Sequence, residues 1–174
     1  HNSSYLWFFG MEERVQTPKC IEMKFAFLGP ESSGKSTLTE RCFQKFGGSL
    51  ITEYAREYLL DRGLNYSVGD LDEMAKVQFE RISLCNAKIN FIDTELITFK
   101  IWSEFKYKSC SDLIVKLLES QQIDFYFLCK PDIPWDFDVL RESENDRDEL
   151  FELYKQELQS RNFTFQIISG EMEE

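Results

Sequence analysis

The sequence predicts a three-layer α/β fold, with a mostly parallel five-stranded sheet and helices on both faces. Three observations carry that expectation. Short apolar runs of strand length alternate along the chain with longer stretches of helical periodicity. The length of 174 residues suits one such domain, and a second full domain is not expected. A glycine-rich turn joins the first strand directly to the first helix, as a strand feeding a crossover helix requires.

The elements follow in order. Residues 23–28 are apolar and aromatic except for Lys24, the pattern of a strand buried on both faces. A helix over 35–46 stops at Gly47 and Gly48. A short strand over 50–52 leads into the polar stretch EYARE. A long helix covers about 70–88, with Leu71, Met74, Ala75, Ile82 and Cys85 at helical offsets. Residues 90–92 form a third strand, and a helix follows through Ile101 and Trp102. A helix over 110–120 and a strand over 124–129 come next, after which Pro131 and Pro134 enforce a loop. Beyond the charged stretch 141–148, Leu150, Phe151, Tyr154 and Leu158 mark one face of a helix, and 163–168 supply the fifth strand. Residues 1–20 are read as an extension, or the remnant of a purification tag, ahead of a domain covering 21–174.

Composition narrows the function. A formal net charge of −11 and an isoelectric point near 4.7 oppose the counterion release that drives nucleic-acid binding, so neither nucleic acid nor an anionic membrane is an expected partner. The five cysteines show no C-x-x-C spacing and read as thiols in a reducing, cytoplasmic compartment. The single histidine is His1, so any general base must be a carboxylate. Oligomeric state leaves no sequence signal.

The strongest chemical signal is GPESSGKST, from Gly29 to Thr37. It satisfies G-x-x-x-x-G-K-[ST] between a predicted strand and a predicted helix, the context that makes a phosphate-binding P-loop. Gly29 and Gly34 permit the tight turn. The backbone N–H groups of Glu31, Ser32 and Ser33, and then the new helix end, face the phosphates of ATP. Lys35 supplies a mobile cation, and the hydroxyl of Ser36, followed by Thr37, is placed to ligand Mg2+. The fold class sharpens to a P-loop NTPase.

Two groups of acids and bases should share the same sheet edge. Asp93 closes the apolar run NFID, where an acid serves the metal, although it also suits a helix N-cap. Glu53, Arg56 and Glu57 follow the second strand, at the edge where an acceptor enters, or else lie on a solvated helix face. Glu53 and Asp93 are the two candidate bases. Tyr54, Phe99, Trp102 and Phe105 are candidates to stack on a flat base, set against core packing in a chain with 15% aromatic residues.

Three segments carry a family resemblance: ITEYAREYL (51–59), FIDTELITFKIWSEF (91–105) and PDIPWDFDVLR with the charged stretch after it (131–147). Together with GPESSGKST they resemble the ribosylnicotinamide kinase domain of NadR-type proteins, over roughly residues 23–170. The resemblance implies a nucleoside- and nucleoside-monophosphate-kinase-like architecture. It further implies transfer of a phosphoryl group from ATP, with Mg2+, to the 5′-hydroxyl of nicotinamide riboside in NAD salvage. By position it assigns ATP binding to Gly29, Gly34, Lys35, Ser36 and Thr37, and service of the metal or acceptor to Asp93. It places Arg141, with Arg147, in a lid over the phosphates. Glu95 departs from the aspartate the family commonly carries there, and this longer acid is expected to shift the acceptor pocket.

Overall fold

A strand hydrogen-bonded on both edges and covered on both faces has no solvated side, and β1 (Met23–Leu28) meets that description with its MKFAFL sequence. The computed structural model describes residues 21–170, so the segment assigned to 1–20 lies outside the described residues. After β1 come α1 (Lys35–Phe46), β2 (Ser49–Ile51), α2 (Tyr54–Arg62), α3 (Val68–Leu84), β3 (Ile89–Asp93) and α4 (Leu96–Tyr107). The chain continues through α5 (Asp112–Ser120), β4 (Phe125–Cys129), α6 (Arg147–Ser160) and β5 (Phe165–Ile168). The strands pair in the order β2-β3-β1-β4-β5, and every pair is parallel.

The two faces of the sheet are built differently. Phe25 and Phe27 alternate onto one face and stack with rings of the flanking strands, Phe27 on Phe127 at 4.9 Å and Phe25 on Phe91 at 6.0 Å. Phe46, at the end of α1, closes on Phe91 at 6.4 Å, so α1 covers this aromatic face. Ala26, Leu28, Ile92 and Leu128 point the other way, into the main core with Leu71, Met74, Leu96, Ile97 and Tyr154 from α3, α4 and α6.

Several boundaries differ from the sequence reading, each for a local reason. The polar stretch EYARE opens a true helix, α2, which buries Ala55, Tyr58 and Leu59 while leaving most of its length polar. Helix α3 starts at Val68 because Ser67 and Asp70 form a reciprocal capping box, and it ends at Leu84. The Ser111 hydroxyl accepts from the Ile114 N–H at 3.2 Å and sets the start of α5. At Gly48 (φ +103) an added Cβ would stand 2.1 Å from the Ile89 carbonyl oxygen, so only glycine lets the chain turn tightly enough to lay β2 beside β3.

An all-parallel sheet collects the carboxyl ends of its strands on one edge. The loops after Leu28, Ile51, Asp93 and Cys129 therefore converge there.

Candidate active site

The phosphate loop leaves β1 through Gly29 (φ +146), where a Cβ would lie 2.6 Å from the Cys129 carbonyl oxygen and 2.8 Å from Ser33 Oγ. Gly34 (φ +77) then turns the chain into α1. Lys35, Ser36 and Thr37 thus occupy a first helical turn, whose N–H groups have no acceptor within the helix and which carries the positive end of the dipole. Lys35 Nζ rests 3.4 Å from the Pro30 carbonyl, a bond too long to hold it against a phosphate. The Ser33 hydroxyl is buried in the cleft wall without a hydrogen-bond partner.

This loop forms one wall of a cleft of about 480 Å3, a volume ordinary for a small-molecule site. Residues 31–37 meet Thr52, Glu53, Arg56, Glu57, Leu59, Leu60, Asp93, Trp102, Leu140 and Arg141 around it. The cleft therefore gathers the residues singled out in the sequence, with the exception of Gly29, Tyr54, Phe99, Phe105 and Arg147.

Asp93 sits at the carboxyl end of β3, 7% exposed, with Oδ1 buried and unpartnered. Burial raises its pKa, while Lys35 and the Ser36 hydroxyl act the other way. An open carboxylate oxygen beside a serine hydroxyl is the donor set a hard, octahedral cation prefers, so Ser36 and Asp93 fit Mg2+. Asp93 does not cap α4: Glu95 holds that N-cap and accepts from the Ile97 N–H at 3.0 Å. Glu95 is fully buried, bonds Gln121 and stands outside the cleft wall. This longer acid, expected to shift the acceptor pocket, lines neither the cleft nor the pocket beside it.

Glu53 occupies the N-cap position of α2 and makes no cap bond, which leaves its carboxylate facing the cleft. Its pKa is pushed up to about 7, chiefly by burial, with Lys35 opposing and Asp93 adding to the rise. Neighbouring members of EYARE have other partners. Arg56 reaches Asp138 at 2.5 Å, tying α2 to the segment between β4 and α6. Glu57 forms a two-pronged pair with Arg81 of α3, at 2.7 and 2.8 Å, at the rim of the cleft. Tyr54 turns away from the cleft, edge-on to Tyr58 with the Arg81 guanidinium 4.7 Å from its ring. Phe99 is fully buried and packs edge-on to Trp102 at 6.0 Å, so of these two rings Trp102 lines the cleft.

Residues 130–146 link β4 to α6, and the stretch expected to act as a lid, 141–147, begins within them. They dock on the phosphate loop itself: Glu31 Oε2 accepts from the N–H groups of Glu142 and Ser143, both at 2.9 Å, and Ser32 Oγ accepts from the Asp136 N–H at 2.8 Å. Arg141 lines the cleft, donates to Ser32 Oγ at 3.1 Å and pairs with the exposed Asp136 carboxylate at 3.2 Å. Arg147 stands behind the loop, donating to the carbonyls of Ser32 at 3.2 Å and Ile133 at 3.1 Å. The two guanidiniums flank Trp135, at 5.9 and 5.6 Å from its ring.

A family model described as an AAA domain, AAA_28, matches residues 24–174. The chain belongs to this AAA-domain family. Two curated relatives of this AAA domain are the trifunctional NAD biosynthesis/regulator proteins NadR of Escherichia coli (strain K12) and Salmonella typhimurium (strain LT2). Both are 31% identical to it, over 156 and 150 residues. The alignments take in 84% and 80% of this chain but 38% and 36% of those proteins, so the chain spans well under half their length. Among solved structures, NadR in complex with NR matches with a TM-score of 0.75 at 21% identity, covering 86% of this chain and 45% of that one. Deoxyadenosine kinase from M. mycoides with bound dATP matches at 0.60 and 15% identity, covering 87% and 93%. Thymidylate kinase from Ehrlichia chaffeensis matches at 0.59 and 16% identity, covering 84% and 90%. The fold of this AAA domain is thus that of the P-loop nucleoside and nucleotide kinases.

Sequence reasoning passed over Thr52, Leu59, Leu60 and Leu140 in the cleft wall. The leucine pair follows EYARE directly. Once that stretch is a helix, Leu59 and Leu60 fall near its carboxyl end, where one is buried and the other is left in the cleft mouth.

Proposed function

We propose that this AAA domain is an ATP-dependent small-molecule kinase that phosphorylates the 5′-hydroxyl of nicotinamide riboside to nicotinamide mononucleotide, a step of NAD salvage. The observation that carries this reading is the convergence, in one cleft, of a phosphate loop bearing Lys35 with two carboxylates, Glu53 and Asp93, from the ends of two different strands. The NadR relatives, together with solved NadR structures in complex with NR and with NAD and AMP-PNP, support the choice of acceptor and donor.

In this reading the phosphoryl group passes through a loose transition state, so the protein works by alignment and by cations placed around the transferred group. Lys35 and the lid residue Arg141 supply those cations. Ser36 and Asp93 would hold Mg2+, which when bound neutralises charge on the phosphate oxygens. Glu53 orients the acceptor hydroxyl; as the new O–P bond forms and the bond to the departing ADP breaks, the hydroxyl proton passes to Glu53. Its raised pKa suits that task near neutral pH. A second pocket of about 210 Å3 shares Glu31, Leu59, Trp102 and Leu140 with the main cleft and adds Tyr66 and Phe105, a flat aromatic lining for the acceptor's ring. A cytoplasmic location belongs to the same proposal. Cys42, Cys85, Cys110 and Cys129 are unbridged thiols, and no helix among the described residues is long and apolar enough to cross a membrane.

The test is a coupled assay for ADP with and without nicotinamide riboside, with nicotinamide mononucleotide measured directly. One mononucleotide per ADP, and slow ADP release without the acceptor, is the expected result. Stimulation by thymidine, deoxyadenosine or a nucleoside monophosphate instead would move the reading to another kinase of this fold. ADP release indifferent to every acceptor would make the chain a regulatory NTPase.

A further inference from the structure

The apolar stripe of α3 runs Leu71, Met74, Ala75 and Ile82, all buried, and Gln78 stands in the middle of it with no exposed surface. A buried amide amid apolar side chains is costly unless both of its ends are bonded. Both are. Gln78 Oε1 accepts from the Tyr54 N–H at 2.9 Å, and Nε2 donates to the Thr94 carbonyl at 2.9 Å. The first partner is the peptide immediately after Glu53, at the start of α2, where the N–H has no acceptor within its own helix. The second is the residue immediately after Asp93, in a turn where Thr94 takes φ +72, uncommon for a residue with a β-branched side chain. One side chain thus joins the two turns that present the cleft's two acids, β2 to α2 and β3 to α4.

We propose that Gln78 is a positioning residue: its two hydrogen bonds fix the Glu53 turn and the Asp93 turn relative to each other, and so set the spacing of the two carboxylates across the cleft. No other residue type offers a donor and an acceptor at that reach without a charge or a branch. A methionine would fill the same space, leaving the stripe packed and both turns untied. The proposal concerns the geometry of the two turns, and its catalytic consequence rests on the kinase reading given above.

The experiment compares the wild-type chain with Gln78→Met and Gln78→Glu, at a temperature where circular dichroism shows all three folded. In Gln78→Met, backbone hydrogen exchange should speed up at least about tenfold in peptides covering 52–55 and 93–96 while the phosphate loop 29–37 keeps wild-type rates. Turnover with the acceptor should fall at least about tenfold, with affinity for AMP-PNP within about threefold of wild type, because displaced acids cost rate and leave phosphate contacts intact. Gln78→Glu, studied above about pH 9 so that the buried acid is ionised and cannot donate an O–H, keeps an acceptor for Tyr54 but places a carboxylate oxygen against the Thr94 carbonyl, so it should loosen 93–96 and spare 52–55. The inference is overturned if Gln78→Met lowers the melting temperature while both turns keep wild-type exchange, or if turnover per folded molecule is unchanged. It is equally overturned if Gln78→Glu loosens both turns alike or neither. The exchange arm needs no acceptor, so it decides the role of Gln78 even where nicotinamide riboside proves not to be the substrate.

Discussion

Glu31 Oε2 lies 2.9 Å from the backbone nitrogen of Ser143, joining the phosphate loop to the lid across 112 residues of chain. The same oxygen accepts from the Glu142 N–H, so in the proposed kinase the loop that meets the nucleotide would also hold the cover over it. A carboxylate accepting two backbone bonds is among the stronger hydrogen-bonding arrangements, and its loss releases the lid locally while leaving the sheet intact. Glu31→Ala should therefore raise hydrogen exchange over 136–143 and increase ADP release without acceptor relative to ADP release with it, because a loose lid admits water. Unchanged exchange in that segment would show that the lid is held by other contacts.

Arg141 is held by Ser32 Oγ and by the carbonyl and carboxylate of Asp136, partners with which the phosphates of a bound nucleotide would compete. The Asp136 side chain is 86% exposed, and an ion pair so solvated holds it by less than about 1 kcal/mol, too little to compete with a triphosphate. Arg141→Ala is expected to lower kcat about a hundredfold or more with little change in acceptor KM, and Arg141→Lys to restore little of it, since an ammonium lacks the planar fork. An effect confined to acceptor KM would instead make Arg141 a ground-state contact. Lys35→Ala, measured beside it, should also abolish turnover while the melting temperature stays at the wild-type value, because its bond to the Pro30 carbonyl is marginal.

A carboxylate base must be ionised to accept a proton. Burial raises the Glu53 pKa to about 7, so kcat/KM should fall roughly tenfold per unit as pH drops below that value and level off above it. Glu53→Gln should flatten this limb and lower turnover, with AMP-PNP still bound. A limb that survives the substitution would assign the base to Asp93.

Glu95 offers a stability measurement independent of any ligand. It is fully buried, and its pKa is raised to about 7 by burial first of all, against the hydrogen bonds from Gln121 and Ile97. A carboxyl whose folded pKa lies above its unfolded value contributes stability below the unfolded pKa, near 4.5, and loses it as pH climbs through the folded one. The wild type should thus lose roughly 3 kcal/mol relative to Glu95→Gln between pH 4.5 and 8, read from denaturant melts across that range. A constant difference between the two proteins would mean that Glu95 titrates alike in both states.

What the sequence made legible was local. The phosphate loop, the strand before it and the helix after it are fixed by neighbours a few residues apart, and the cleft gathers Lys35, Ser36, Glu53, Asp93, Trp102 and Arg141 as their positions at strand ends and in the lid suggested. Relations between distant elements were hidden. Arg56 and Glu57 read as acceptor-edge residues or as part of a solvated helix face, yet their partners Asp138 and Arg81 lie 82 and 24 residues away. Gln78 falls on the apolar stripe of α3 by its offset from Leu71, Met74 and Ile82, but its partners Tyr54 and Thr94 lie 24 and 16 residues away. Tyr54 follows Glu53 at the sheet edge, but one further step around the helix carries its ring out of the cleft.

Trp135 has the guanidiniums of both Arg141 and Arg147 near its ring, one reaching into the cleft and the other fixed behind the phosphate loop. An indole in contact with two cations reports their departure in its emission. If the lid lifts, or if Arg141 swings onto a phosphate, the ring loses one of its charged neighbours and its fluorescence changes. The protein therefore carries its own optical gauge of closure, readable by stopped flow without a label, and Trp135→Phe supplies the blank.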